Sequence, residues 1–236
     1  MKRTTGWIAT AAAVMLGFGL AAPEASAKKL SATAIYFEIN DTDGDAGIQI
    51  FLDGEGWDRM MVFDPNGNKI LDFAATGSVG IQGITELFFE SAEPLFDEQS
   101  LAELLALFPE GHYKFRGRTT EGVALVGKAT LTHALPAGPL LVSPVEGDDS
   151  IDPEHTVIAW QLVPDPPGSR IVSYAVIVER EEPSLRVFTA DLGPTTTSVT
   201  VPPEFMQPGT AYKFEVLAIE ASGNQTISER EFETRE

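Results

Sequence analysis

The chain has 236 residues, 35 acidic and 16 basic side chains, a formal charge of -19 and no cysteine. That length supports one large or two ordinary domains around a substantial core. Without cysteine there are no disulfides, thiolate metal sites, thiol nucleophiles or lipidated N-terminal cysteine, and so negative a surface repels nucleic-acid phosphates and anionic lipid headgroups.

Lys2-Arg3 precede an apolar run from Trp7 to Ala22, and Ala25-Ser26-Ala27 has the small residues of a signal-peptidase site. Residues 1–27 therefore read as an export signal cleaved before Lys28, since the run is shorter than a membrane span of about 20 residues. Cleavage removes Lys2, Arg3 and Glu24, a net +1, and leaves the mature chain at -20. No later segment is apolar and long enough to insert in a membrane, so a periplasmic or secreted protein is expected.

In residues 28–136, Ile35, Phe37 and Ile39 alternate with other residues, as do Ile48, Ile50 and Leu52. Period-two runs of this kind mark strands with one buried face, and the intervening Asn40–Gly47 predicts a hairpin. That connection places Asp41, Asp43 and Asp45 at every second position. Crowded carboxylates repel unless solvated or bridged by a cation, which makes calcium the candidate ion. The first half of the loop is similar to an EF-hand. The second half departs from one: Ala46 replaces the required glycine and Leu52 stands in place of the bidentate glutamate. A simpler Asp-rich site, completed by Asp53 or Glu55, and a solvated acidic turn both remain open.

A second hairpin is predicted between Met60–Phe63 and Ile70–Phe73, around the turn residues Asp64–Asn68. The glycine-rich stretch from Gly77 to Gly83 reads as a flexible or bulged connection, since it lacks the ending of a phosphate-binding loop. Leu87-Phe88-Phe89 form an apolar patch after it. Ser100 with Glu103 fits a capping box, and Leu101, Leu104, Leu105 and Phe108 recur at helical spacing, so one short helix is predicted near 100–108. A third hairpin follows, with His112–Gly117 and Val123–Thr132 flanking a turn that carries Arg116 and Arg118. Those arginines are expected to pair with neighbouring carboxylates.

Pro136–Pro139 marks a boundary. Beyond it, strands are predicted at Leu140–Ser143, Val157–Leu162, Ile171–Glu179, Arg186–Ala190, Ser198–Val201 and Thr226–Phe232, with an acidic turn after Pro144. Between the last two, Pro208-Gly209-Thr210 leads into Tyr212, Phe214, Val216 and Ala218, and Ser222-Gly223-Asn224 closes the run. Together with Trp160, Met206 and Tyr212 in order, residues 137–236 resemble a fibronectin type III domain. The resemblance implies a sandwich with Trp160 buried and with Tyr212 hydrogen-bonded back to the backbone. The family's Arg-Gly-Asp adhesion loop is missing; Glu220–Gln225 stands there instead.

The expected fold is thus all-β, two β-sandwich-like domains in tandem. Only His112, His133 and His155 supply imidazole, and no zinc-helix or nucleophile-elbow motif is present, so no enzyme and no catalytic residue is expected. The expected function is an exported non-catalytic binding, adhesion or structural protein. Its first domain would be calcium-stabilised and its second a spacer or docking surface, with an extracellular or envelope protein or a glycan as partner. The alternative is an envelope carbohydrate-binding accessory protein or a small polysaccharide-active enzyme. Both readings look to Trp57, Phe88 and Phe89 as candidates for an exposed aromatic surface.

Overall fold

The computed structural model describes residues 27–180 and 185–236. The export signal lies outside the described residues except for Ala27. In the first half, β1 (Lys28–Lys29), β2 (Ala32–Asn40) and β3 (Asp45–Phe63) are followed by β4 (Lys69–Ala74), helix α1 (Gly77–Gln82), β5 (Ile84–Glu90), helix α2 (Leu101–Leu107), β6 (Gly111–Thr119) and β7 (Ala124–Leu131). The β2–β3 hairpin runs in register from Ala32 opposite Asp53 to Asn40 opposite Asp45. Alternation then sends Ile35, Phe37, Ile48, Ile50 and Leu52 into a shared core.

Strand β3 is 19 residues long because it serves two sets of partners within one sheet. Its first part pairs with β2 and β5, its second with β4 and β6, and the register shifts between Asp53 and Trp57. Gly54 lies at that bend. A Cβ there would come within 2.7 Å of Leu30 Cδ2, so glycine lets Leu30 pack against the corner in its present position. Trp57, just past the bend, is fully buried and meets Phe73 edge-on at 5.8 Å. It is a core residue, not the surface platform that its aromatic side chain suggested.

Residues Gly77–Gln82 form a helix where the glycines predict a loose connection. Gly80 N donates to Thr76 O and Gly83 N to Val79 O at 3.2 and 2.8 Å. Both flanking strands pair with β3, which fixes the ends of this segment and overrides its poor helix propensity. Helix α2 follows its sequence closely. The Ser100 hydroxyl accepts from Glu103 N, and the Glu103 carboxylate accepts from Ser100 N. Leu104 is buried, with Leu101, Leu105 and Phe108 packed against the same core.

The second half comprises β8 (Leu141–Ser143), β9 (Asp148–Ile151), β10 (Val157–Trp160), β11 (Ile171–Arg180), β12 (Arg186–Leu192), β13 (Ser198–Thr200), β14 (Ala211–Glu220) and β15 (Gln225–Thr234). Strands β13, β10 and β8 form one sheet, and β15, β14, β11 and β12 lie in the facing one. Trp160, Tyr174, Tyr212, Phe214 and Phe232 fill the space between them. The Tyr212 hydroxyl accepts from Gln207 N at 2.8 Å, the corner hydrogen bond that the fibronectin type III resemblance implies. Two details differ from expectation. Strand β10 stops at Trp160, which leaves Leu162 53% exposed, and the acidic turn after Pro144 contains β9, paired parallel to the end of β15.

The halves meet through a sheet edge. The start of β15 pairs parallel with β2, from Gln225 opposite Glu38 to Ile227 opposite Asn40, so one sheet runs through the whole molecule. Asn224 makes the junction specific. It is fully buried, its Oδ1 accepts from Phe37 N at 3.0 Å, and its Nδ2 donates to the carbonyls of Thr132 and Ala134 at 3.0 and 3.3 Å. Its own backbone N–H donates to the buried Glu220 carboxylate at 3.1 Å, which also accepts from Ser169 and Ser222. Thr226 adds a hydroxyl bond to Pro136 O at 2.8 Å.

Asn224→Ala would strand Phe37 N and the two carbonyls in a dry interface. Each orphaned group costs roughly 1–3 kcal/mol, so a loss of about 3 kcal/mol in urea unfolding is expected. Asn224→Asp should lose at least as much, because aspartate has no N–H to offer the carbonyls. Losses below about 1 kcal/mol in both variants would mean that this clamp is not what holds the junction.

Candidate functional site: an outward carboxylate cluster and aromatic row

Residues opposite one another on paired strands point to the same face. Since Ile48, Ile50 and Leu52 point inward, Gly47, Gln49, Phe51 and Asp53 point outward. The registers place Glu38 opposite Gly47, Tyr36 opposite Gln49, Glu90 opposite Gln49 and Phe88 opposite Phe51. The outer face of the first half therefore carries an aromatic row beside a carboxylate cluster. Phe88 is 52% exposed and Phe89 36%, so of the three aromatic candidates it is these two, not Trp57, that reach the surface.

In the cluster, carboxylate oxygens of Glu38, Glu90 and Glu93 lie within 4.8 Å of one another. Glu93 follows β5 and folds its side chain over Gly47, where an added Cβ would sit 2.8 Å from Glu93 Cγ. The absence of a side chain at Gly47 is what lets the third carboxylate reach the other two. Gln49 Nε2 donates to Glu90 Oε1 at 3.1 Å, and Gln225 from the second half donates to Glu38. Burial, reinforced by Glu90, Glu38 and Asp45, pushes the Glu93 carboxyl up to about 7. Burial also raises Glu38, against the opposing Gln225 hydrogen bond. Such a cluster can hold a shared proton or an oxygen-seeking cation.

Asp41, Asp43 and Asp45, the metal ligands expected from the sequence, occupy three different settings. Asp41 lies against Gly138, where an added Cβ would meet its Oδ2 at 2.6 Å, and its N–H donates to Ile227 O at 2.9 Å. Asp43 accepts from Asn40 Nδ2 at 3.3 Å, while Asn40 Oδ1 accepts from the N–H groups of Thr42 and Asp43. The turn is thus closed by an asparagine side chain. Asp45 begins β3 with a buried, unpartnered Oδ1, and burial followed by Asp43 raises its carboxyl. Among the described residues, the convergent acidic trio is Glu38, Glu90 and Glu93, and the three aspartates are not part of such a group. The glutamates are far apart in sequence, and only the β2–β3–β5 register brings them together; glycine opposite glutamate was the signal available.

Other polar candidates are engaged locally. Arg118 pairs with Asp58 at 2.8 Å, as expected, whereas Arg116 stacks over Phe63 with its guanidinium 5.5 Å from the ring centre. His112 meets Thr130, His133 the Phe108 carbonyl and His155 the Asp152 carboxylate.

No family model matches the chain, and no curated protein sequence matches it. Solved structures do. One is of the fibronectin(III)-like modules of Clostridium thermocellum CbhA, at 8% identity and a TM-score of 0.36, covering 87% of this chain and 93% of that one. Another is of the FN1–FN3 domains of chicken CNTN1, at 12% identity and a TM-score of 0.35, covering 89% of this chain and 65% of that one. The class is an all-β sandwich protein with a fibronectin type III-like second half, as its own strand order and tyrosine corner define it. Among the described residues no helix is long and apolar enough to cross a membrane.

A carboxyl raised in the folded state binds its proton more tightly there than in the unfolded chain. Its contribution to stability is therefore present at low pH and is lost as pH rises through the folded value, about 7 for Glu93. The lowered carboxyls of Asp64, Asp148 and Asp152 act oppositely and weaken the fold only below the ordinary carboxylate range. In chelator, the thermal midpoint should climb between about pH 8 and pH 5.5, and Glu93→Gln should flatten that climb by raising the midpoint at the alkaline end. A midpoint no higher at the acidic end would remove the crowded cluster as a determinant of stability.

Proposed function

We propose that the chain is an exported, non-catalytic binding or structural protein. In this reading residues 1–27 are removed, and the units 28–136 and 137–236 work as one rigid body outside the cytoplasm, in the periplasm or secreted. The observation that supports it is the junction: Asn224 and the β15–β2 pairing hold the two sandwiches in one orientation through buried backbone groups. A fixed orientation suits a semi-rigid spacer or docking module. The loop that takes the place of an adhesion signal, Glu220–Gln225, is spent on this internal contact.

Calcium as a stabilising ligand of the first half is part of the proposal. The ion takes about six to eight oxygen ligands, which favours the place where carboxylates already converge, at Glu38, Glu90 and Glu93, over the acidic hairpin of Asp41, Asp43 and Asp45. A second reading, glycan binding, is favoured by the outward Phe88–Phe51 row. It predicts that retention on an insoluble polysaccharide is lost in Phe88→Ala.

N-terminal sequencing of the extracytoplasmic protein should begin at Lys28; a protein retained inside the cell with residues 1–27 attached would end the export reading. Thermal unfolding with millimolar calcium and with excess chelator tests the ion, since a ligand bound only by the folded state stabilises it by about 2.7 kcal/mol at a hundredfold excess over its dissociation constant. The midpoint is expected to rise with calcium in the unaltered chain and in Asp43→Ala, and to stay put in Glu93→Gln. A rise lost in Asp43→Ala instead would place the ion in the hairpin. No rise in any form would strike calcium from the reading.

A further inference from the structure

We infer that the outer face of the through-running sheet docks a lysine- or arginine-rich polypeptide segment. The inference names a partner for the binding reading above and depends on neither export nor calcium.

The argument starts from where the cores lie. Ile39 of β2 is paired with Thr226 of β15, and Thr226 with Ala218 of β14; all three are buried. Ile39 belongs to the core of the first half and Ala218 to that of the second, so both cores occupy the same side of the sheet. The opposite side of β5, β3, β2, β15, β14, β11 and β12 is a single face of seven strands, with a small apolar patch of Ala175, Leu217 and Ile227 set among its charges. At about 4.8 Å per strand it is roughly 30 Å across, too extended for one small cation and suited to an extended chain.

The charge on that face is one-sided. Every one of the seven strands contributes at least one outward carboxylate: Glu86 and Glu90 opposite Asp53 and Gln49, Glu38 beside Gln225, Glu215 opposite Glu229, and further acids on β15, β11 and β12. Lys213 is the one outward basic side chain on these strands among the described residues. It is already taken by Glu215 and Glu229, at 2.8 and 3.5 Å. In the first half the basic residues of the strands, including Lys28, Arg59, Lys69, Lys114, Arg116 and Lys128, lie instead on β1, the second part of β3, β4, β6 and β7. A hollow of about 590 Å³ continues the face at its far end, lined by Asp149, Glu179, Lys213, Glu231 and Glu233 with Tyr212.

Complementarity then specifies the occupant. Ammonium and guanidinium groups relieve the mutual repulsion of these carboxylates, while Phe88, Phe51, Tyr36 and Val187 offer apolar and aromatic surface to the aliphatic stems and cations of lysine and arginine. Nucleic acid and anionic membrane are repelled by the same charge, as is the same face of a second copy. Steering by so one-sided a field favours fast, salt-sensitive association.

The test is fluorescence anisotropy of a labelled oligolysine peptide titrated with the purified protein, in chelator and at about 0.1 M salt, where the Debye length is about 10 Å. One variant carries Glu38→Gln, Glu90→Gln, Glu215→Gln and Glu231→Gln. A control removes equal charge elsewhere, with Asp97→Asn, Glu98→Gln, Glu121→Gln and Glu204→Gln. The face variant should lose about tenfold or more in affinity and the control less than about twofold, because only nearby charges escape screening. Equal losses in both, or none in the face variant, would overturn the proposal. Carbodiimide cross-linking of oligolysine to the unaltered protein guards against a variant that folds poorly. Adducts are expected at Glu86, Glu90 and Glu231, and adducts spread equally over Glu98, Glu121 and Glu204 would sink the idea.

Discussion

The architecture hangs on one side chain. Asn224 closes the β14–β15 turn and reaches out of its own sandwich to satisfy Phe37 N and two carbonyls of the Thr132–Ala134 segment. A buried amide that spans an interface with donors and acceptor all engaged is expensive to leave half-satisfied, so the interface has one good register. Once that register is set, β15 meets β2 in parallel and the free edge of the second sandwich is covered. Edge strands invite pairing with other chains, and here the partner is the first half of the same molecule.

Joining the sandwiches edge to edge has an electrostatic result. Both cores fall on one side of the shared sheet, so its other side is a surface drawn from both halves. Acidic residues tolerable on each half alone become neighbours: Gln225 of one half donates to Glu38 of the other, and Glu215 adds to the charge that Glu38 feels. The crowding is sharpest where Gly47 leaves space for Glu93, whose carboxyl is raised to about 7. Glu93 is raised by burial and by its first-half neighbours Glu90, Glu38 and Asp45, whereas the geometry that secures the junction extends the acidic surface across both halves and so produces the field that a basic partner would meet.

The two helices illustrate how local and tertiary forces divide the work. Helix α2 carries its own start signal, a reciprocal cap between Ser100 and Glu103, and an apolar stripe that fits the core. Helix α1 has no side-chain cap, no buried residue and three glycines, Gly77 and Gly80 within it and Gly83 at its C-cap. It exists because β4 and β5 pin its ends to the same long strand. Ile81, on that helix, is left 84% exposed.

By itself the sequence determined what short-range chemistry controls. The alternation of Ile35, Phe37 and Ile39, the turn residues of Asp64–Asn68, the cap at Ser100 and the Tyr212 corner each depend on neighbours within a few residues, and each stands in the structure. Trp160 in the core belongs with them. Strand pairing over long distances decided the rest. Trp57 is internal because β3 bends at Gly54, and Glu38, Glu90 and Glu93 converge because β2 and β5 flank the same strand. The sheet that unites the halves rests on Asn224, which in the sequence is one more polar turn residue, since nothing local records that its amide will face a carbonyl 92 positions away.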